Sequence, residues 1–400
     1  MSREKKWIVL IGSAALALRL GFVFWGTPGS RVENLPGQGR YVGDPHYFQF
    51  ADNLLEKGSY EIELYGFTYK AWRPPLFPLF IAAVSKIHGL NPVMPVRIYL
   101  ALLSMAVPFC VWLLARTLWS WREGVTAFAW ACVHPHFVFY SGHVMPETLF
   151  VVFSTAGFTL MMLERSAMQS ALAGLLTGLA CLGRSQFAGA ALIGAAWPFV
   201  NPKPAARKAW GIFFMAGFLL AVGPWWIRNY AVFGKFVPFS TEGGYTLWVG
   251  ANPLADGGGD CPSSNPPQEL GELGMDRWHY GQAVSYMKEN PGKMVSLAFQ
   301  KLRRFWGIVP VQNVSIKIKI ISFVSFMPLF VLALAGLWFW RRRFRELGPV
   351  LGLLLYYTVI QSVFPSMIRY RLVLEPFLIV LAAAAAVRLA DGIAESSVKK

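Results

Sequence analysis

A single acid heads the first polar stretch of the chain. Asp44, in GDPHYFQFADNLLEKG, opens a segment that Arg73 closes in WRPPLFPL. A carboxylate there can take a proton from a hydroxyl. Followed by Pro45, it can equally cap a helix, because its oxygens accept the orphan N–H groups of a first turn. Further polar residues recur at the ends of apolar runs: His143 and Glu147 in SGHVMPETLF, Arg184 in LGRSQ, Arg228 in PWWIRNY, and Arg369, Tyr370 and Arg371 in PSMIRYRLVLEPF. The set joins one well-placed carboxylate to several guanidinium groups able to grip a phosphate by paired hydrogen bonds. Each also admits a structural role: Glu147 can start its helix after Pro146, and Arg228 can anchor a span at the headgroups. Arg369 and Arg371 flank Tyr370, so an extended segment aims them the same way, whereas a helix turns them roughly 200° apart.

Metal and thiol chemistry find less support. His134 and His136 read as satisfied polar residues at a helix end, and the His and Glu spacing matches no metal-binding motif. Cys110, Cys132 and Cys181 lie in apolar runs and Cys261 in a polar one, which leaves neither a disulfide framework nor a CxxC site. No metal and no cofactor are expected.

The elements that position these residues are set by hydropathy. The chain has 400 residues, 55% of them hydrophobic and 14% charged, with mean hydropathy +0.44, so it reads as an all-α polytopic membrane protein. A net charge of +16 would otherwise invite nucleic acid as a partner, which this hydropathy excludes. Trp7 to Gly26 is long enough to span the roughly 30 Å hydrocarbon core and reads as a first helix rather than a cleaved signal, with Arg19 inside it as a functional candidate or an outward-snorkelling charge. Further spans are expected at 92–119 and at about 124–141, 147–163, 169–183, 186–200, 209–227, 319–340, 347–364 and 372–390, ten in all. Leu76 to His88 is too short to cross and reads as interfacial.

The organisation follows: a first helix at 1–26, a first outer loop at 27–91, spans two to seven at 92–228, a second outer segment at 229–317, three last spans at 318–390 and a tail at 391–400. Basic residues gather at Arg3, Lys5, Lys6, Arg116, Arg122, Arg165, Lys203, Arg207, Lys208, Arg341, Arg342, Arg343, Arg345, Lys399 and Lys400. The positive-inside rule therefore puts both termini in the cytoplasm and the two long polar segments together outside. In the first, Tyr47, Phe50, Ala51, Leu54 and Leu55 make one apolar helical face, expected to lie on the membrane surface. In the second, GANPLADGGGDCPSSNPPQELGELG argues for irregular backbone, followed by helices at Met275 to Glu289 and Pro291 to Trp306. Lys301, Arg303 and Arg304 read as a basic edge facing solvent or lipid headgroups.

Taken in order, GDPHYFQFA, WRPPLFPLF, PETLF, PWWIRNYAVFGKFVPFSTEGGYTLWVGANP, KENPG and IRYRLVLEPF resemble the GT-C superfamily of polyprenyl-phosphate-sugar-dependent glycosyltransferases, and especially bacterial relatives of protein O-mannosyltransferases and of the lipid A aminoarabinose transferase. The resemblance implies a GT-C-type helix bundle with two outer loops carrying short amphipathic helices. It implies Asp44 as catalytic base, and Arg73, His143, Glu147, Arg184, Arg228, Arg369, Tyr370 and Arg371 around the substrate. It implies transfer from a polyprenyl-phosphate sugar, undecaprenyl in a bacterial inner membrane, to a hydroxyl of a glycan, lipid or protein, with membrane lipids as the surroundings. Two other readings stay open. A glycan polymerase or ligase would use the same outer-face geometry, and a lipid or solute transporter would put its polar residues near the midplane.

Overall fold

The computed structural model describes residues 2–26, 45–64, 66–90, 92–163, 166–200, 207–259, 264, 266–267, 269–311 and 314–398. Asp44 and Cys261 lie outside them. Among the described residues the architecture is helical apart from one two-stranded hairpin.

Helix α1 (Arg3–Gly21) runs on through a wider π turn to Gly26. In the first polar segment, α2 (Pro45–Lys57) leads into β1 (Ile62–Leu64) and β2 (Phe67–Tyr69), which pair antiparallel with Ile62 opposite Tyr69. Gly66 makes the turn between them at φ +80°, a conformation in which a side chain would be strained. Then follow α3 (Leu76–His88), α4 (Val93–Ser104) and α5 (Ala106–Leu118), the last two running on as one apolar segment, and α6 (Trp121–Val133) and α7 (Pro135–Ser141), which break at His134 because Pro135 cannot continue the first helix. Next come α8 (Glu147–Leu163), α9 (Ala167–Gly183), α10 (Ala188–Val200) and α11 (Arg207–Phe233). The second polar segment holds α12 (Gly243–Gly250), α13 (Glu272–Glu289) and α14 (Pro291–Phe305). The chain closes with α15 (Ile316–Phe339), α16 (Gly348–Val363), a tight 3-10 turn over Ile368–Val373, and α17 (Glu375–Val398).

By length and composition, Arg3–Gly26, Val93–Leu118, Ala209–Phe233, Ile316–Phe339 and Glu375–Ile393 can each cross a membrane. Among the described residues these are five of the ten expected. The other apolar runs form shorter helices such as α8, α9 and α16, and at about 1.5 Å per residue a 17-residue helix reaches only about 25 Å.

The bundle packs around α17, whose stretch from Phe377 to Ala385 is buried on every side, as expected of a helix at the centre rather than the lipid edge. The seam between α9 and α11 is made of small residues. A Cβ on Gly174 would come within 1.9 Å of the Phe214 carbonyl oxygen, and one on Gly217 within 1.8 Å of that of Ala171, so the backbones meet directly.

Three expectations are corrected. Arg19 does not snorkel: it is fully buried, donating to Ser104 Oγ at 3.0 Å and to the carbonyls of Ala15 and Cys132 at 3.2 and 2.7 Å, where it clasps α1 to α4 and α6. The apolar face of α2 covers protein rather than membrane, with Phe48 and Ala51 packed against Phe77, Ile81 and Val84 of α3. Finally, Lys301 is buried and donates to the Val363 carbonyl, and Arg304 pairs with Asp256 at 2.6 Å, leaving Arg303 as the exposed member of that edge.

Candidate active site

A cavity of about 430 Å³ opens where the two long polar segments meet the ends of α8, α9 and α16. Each of its charged side chains is delivered by a local break in structure. Arg73 precedes the Pro-Pro pair that starts α3, Arg184 follows the last residue of α9, and Glu147 begins α8 after Pro146. Glu242 precedes α12, and Arg369 and Tyr370 sit in the 3-10 turn before α17. Tyr47, from the first turn of α2, completes this part of the wall.

Charges in the cavity are largely paired. Arg73 Nη1 lies 2.5 Å from Glu242 Oε2, and Arg184 Nη2 bonds Glu147 Oε1. Arg184 and Arg369 each sit 5.2 Å from the Tyr370 ring centre, so that one aromatic ring spaces two guanidinium groups. Arg369 has no carboxylate partner among the described residues; its Nη2 reaches Tyr370 Oη at 3.3 Å, and its buried Nε has no partner. Glu147 is buried, and its second oxygen, Oε2, is likewise unpartnered.

A second, apolar cavity of about 540 Å³ adjoins the first. It runs between Leu18 and Phe22 near the end of α1, Val133 and Phe139 around α7, and Ile318 and Ile321 of α15. Its few polar groups are His136, Tyr140, Ser322 and Arg369, and Arg369 lines both cavities.

The hairpin wall is held from behind. Glu272 of α13 accepts from the N–H groups of Lys70 and Ala71 at 2.6 and 2.8 Å and from Thr241 Oγ1, which ties the first polar segment to the second. Burial raises its pKa above the carboxylate norm, partly offset by those three donors. Nearby Asp276, which accepts from the Gly244 N–H at 2.7 Å, is pushed up by burial to about 6.

Of the residues singled out in the sequence, Arg73, Glu147, Arg184, Arg369 and Tyr370 converge on this cavity. Asp44 lies outside the described residues; the next residue, Pro45, opens α2. Three others point elsewhere. His143 stacks on Phe139 with ring centres 4.0 Å apart. Arg228 donates to the Lys70 and Tyr60 carbonyls at 2.6 and 2.9 Å, clamping the hairpin onto α11. Arg371 is fully buried, donating to the Phe305 and Gly307 carbonyls at 3.0 and 2.8 Å and to Glu375 at 3.2 Å. Because the segment winds at about 120° per residue, Arg369 and Arg371 diverge and cannot share one phosphate.

Sequence reasoning did not single out Glu242 or Glu375. Glu242 carries no signal in STEGGY. Glu375 repeats the pattern of Glu147, an acid beside a proline at the head of an apolar run, and it anchors His134, His136 and Arg371.

No protein-family model matches the chain, and no curated protein matches it. Solved structures do. An oligosaccharyltransferase from Archaeoglobus fulgidus, tethered to an acceptor peptide, superposes with a TM-score of 0.63 at 15% identity over 97% of this chain and 50% of its own. The same organism's AglB, in complex with an inhibitory peptide and a dolichol-phosphate, gives 0.62 at 15% over 99% and 52%. ArnT from Cupriavidus metallidurans, bound to undecaprenyl phosphate, gives 0.59 at 14% over 96% and 60%. The chain thus spans about half the length of the oligosaccharyltransferases it matches. At such identities the likeness speaks for architecture: the chain is a polytopic helical membrane protein that shares the fold of these oligosaccharyltransferase and ArnT structures.

Proposed function

We propose that this chain is a membrane glycosyltransferase that moves a sugar from a polyprenyl-phosphate donor to a hydroxyl acceptor by a single inverting displacement. The observation that carries the reading is the meeting of a charged cavity and an apolar groove at Arg369. A lipid-linked sugar phosphate has the complementary shape, with its chain in the groove, its phosphate at the junction and its sugar among the polar groups. The lipid phosphates bound by AglB and ArnT support the carrier class. Undecaprenyl phosphate in a bacterial inner membrane, with the site on the outer face and both termini inside, fits the distribution of basic residues. The acceptor is a hydroxyl of a glycan, a lipid or a protein.

Charge narrows the donor. Arg73, Arg184 and Arg369 against Glu147 and Glu242 leave one positive charge among the described groups of the cavity. An ionised Asp44 brings the balance to zero, which the single negative charge of a monophosphate-linked sugar disturbs less than a diphosphate would. As the anomeric C–O bond breaks, negative charge builds on the departing polyprenyl phosphate, and donors already aimed at it lower the barrier. The arginines thereby supply the neutralisation that a divalent ion gives elsewhere. Proton abstraction from the acceptor falls to Asp44, because Glu147 and Glu242 each already hold an arginine. Glu147 Oε2, buried and unpartnered, accepts a hydroxyl of the donor sugar.

The test is the lipid pool of a deletion strain complemented with the natural chain or with Asp44→Asn. A polyprenyl-phosphate-linked sugar accumulates, by mass spectrometry, in the deletion strain and with Asp44→Asn, and returns to baseline with the natural chain. Complementation by Asp44→Asn would return that residue to helix capping, since Asn caps nearly as well as Asp. An unchanged pool in the deletion strain would contradict the activity.

A further inference from the structure

We infer that His136 contacts the phosphate of the lipid donor, held in place by Glu375. The inference rests on the donor reading above and adds a phosphate ligand that lies on neither outer loop. Glu375 is fully buried at the head of α17, and its carboxylate gathers three donors: His134 Nε2 at 2.9 Å, His136 Nδ1 at 2.9 Å from both oxygens, and Arg371 Nε at 3.2 Å. A ring nitrogen facing a carboxylate must carry the hydrogen, which fixes Nδ1–H on His136 and frees Nε2 on the other side of the ring.

The two histidines of the His-Pro-His sequence then part company. His134 is buried at the break between α6 and α7, whereas His136 keeps 18% of its side chain exposed and lines the apolar groove that Arg369 and Tyr140 also line. In an otherwise apolar wall, an imidazole oriented from behind by a carboxylate is placed for a polar ligand group rather than for the lipid chain. A phosphate held at Arg369, which lines the same groove, is a second anion for this ring, and a ring between two anions can donate through both of its nitrogens.

A divalent metal is the competing use, because the ligand atoms of His134, His136 and Glu375 all lie within 4.8 Å of one another. Charge decides against it. Arg371 already offsets Glu375, so a divalent ion would add two positive charges to buried groups that the single charge of a lipid phosphate offsets only in part.

The experiment measures binding of undecaprenyl phosphate, undecaprenol and inorganic phosphate to the full chain in nanodiscs, with melting temperature and zinc content determined in parallel. The natural chain prefers the lipid phosphate to the lipid alcohol. His136→Ala weakens the lipid phosphate about tenfold and leaves the alcohol unchanged, and His136→Gln, which keeps an N–H donor and is the milder change for folding, falls between. Inorganic phosphate competes weakly with the natural chain and less with His136→Ala, which separates headgroup recognition from chain recognition. Unchanged lipid-phosphate affinity in both His136 variants, with Arg369→Ala alone losing it, would overturn the role of His136 and spare the donor reading. Absence of any phosphate preference in the natural chain would overturn both. Stoichiometric zinc in the natural chain that is lost with His136→Ala would assign the cluster to a metal instead.

Discussion

Arg369 and Arg371 show how far a side chain's meaning depends on its backbone. Two residues apart, one faces both cavities without a carboxylate partner, and the other is sealed beneath two carbonyls and Glu375. Arg369→Lys keeps the charge but loses the planar fork, so affinity for undecaprenyl phosphate falls about tenfold while the melting temperature holds. Arg371→Lys reverses the pattern: a buried guanidinium with three partners is lost, and the melting temperature falls by several degrees. Binding and thermal denaturation of the two purified variants separate these outcomes. The sequence carried the residue types of the cavity, because arginines and a glutamate at the ends of apolar runs stand out against so apolar a background. It did not carry their directions, since an extended segment and a 3-10 turn are equally compatible with IRYRLV.

Among the elements, the legible ones were those with a punctuated start or a strong period. The break at Asn290 and Pro291 divides α13 from α14 where a proline must begin a helix, and the irregular GANPLADGGGD stretch forms no helix beyond Gly250 among its described residues. What the apolar faces would cover was not legible. The period of α2 marks a buried stripe equally well for lipid and for protein, and α3 supplies the cover. Close backbone contact was likewise hidden, because a glycine in an apolar run does not announce its neighbour. At the seam of α9 and α11 it matters: Gly217→Ala pushes a methyl to within 1.8 Å of a backbone oxygen, so the helices must separate at a cost of about 1–3 kcal/mol. Gly281→Ala, in α13 with open space around its Cβ, is the control and stabilises by about 0.5–1 kcal/mol. Equilibrium unfolding in mild detergent reads both, and equal effects would refute the seam as a point of direct backbone contact.

At the scale of the molecule, the two polar segments are joined although α4 to α11 separate them in sequence. Glu272 fastens the hairpin strand to α13, Arg228 fastens it to α11, and Arg73 reaches Glu242. The charged cavity is therefore walled by parts that hydropathy alone cannot pair, whereas the apolar groove is a gap between spans that hydropathy does reveal. The bounds of the shorter apolar runs were legible too, since α8, α9 and α16 fall within two residues of the expected ends. The central claim is that groove and cavity together hold one lipid phosphate at Arg369. The measurement that tests it most directly is a structure of the chain with undecaprenyl phosphate bound in nanodiscs. The account predicts a phosphate oxygen about 3 Å from an Arg369 guanidinium nitrogen, with the isoprenoid chain between Phe22, Phe139 and Ile321. A phosphate seated away from Arg369, or a lipid chain lying outside that groove, would contradict it.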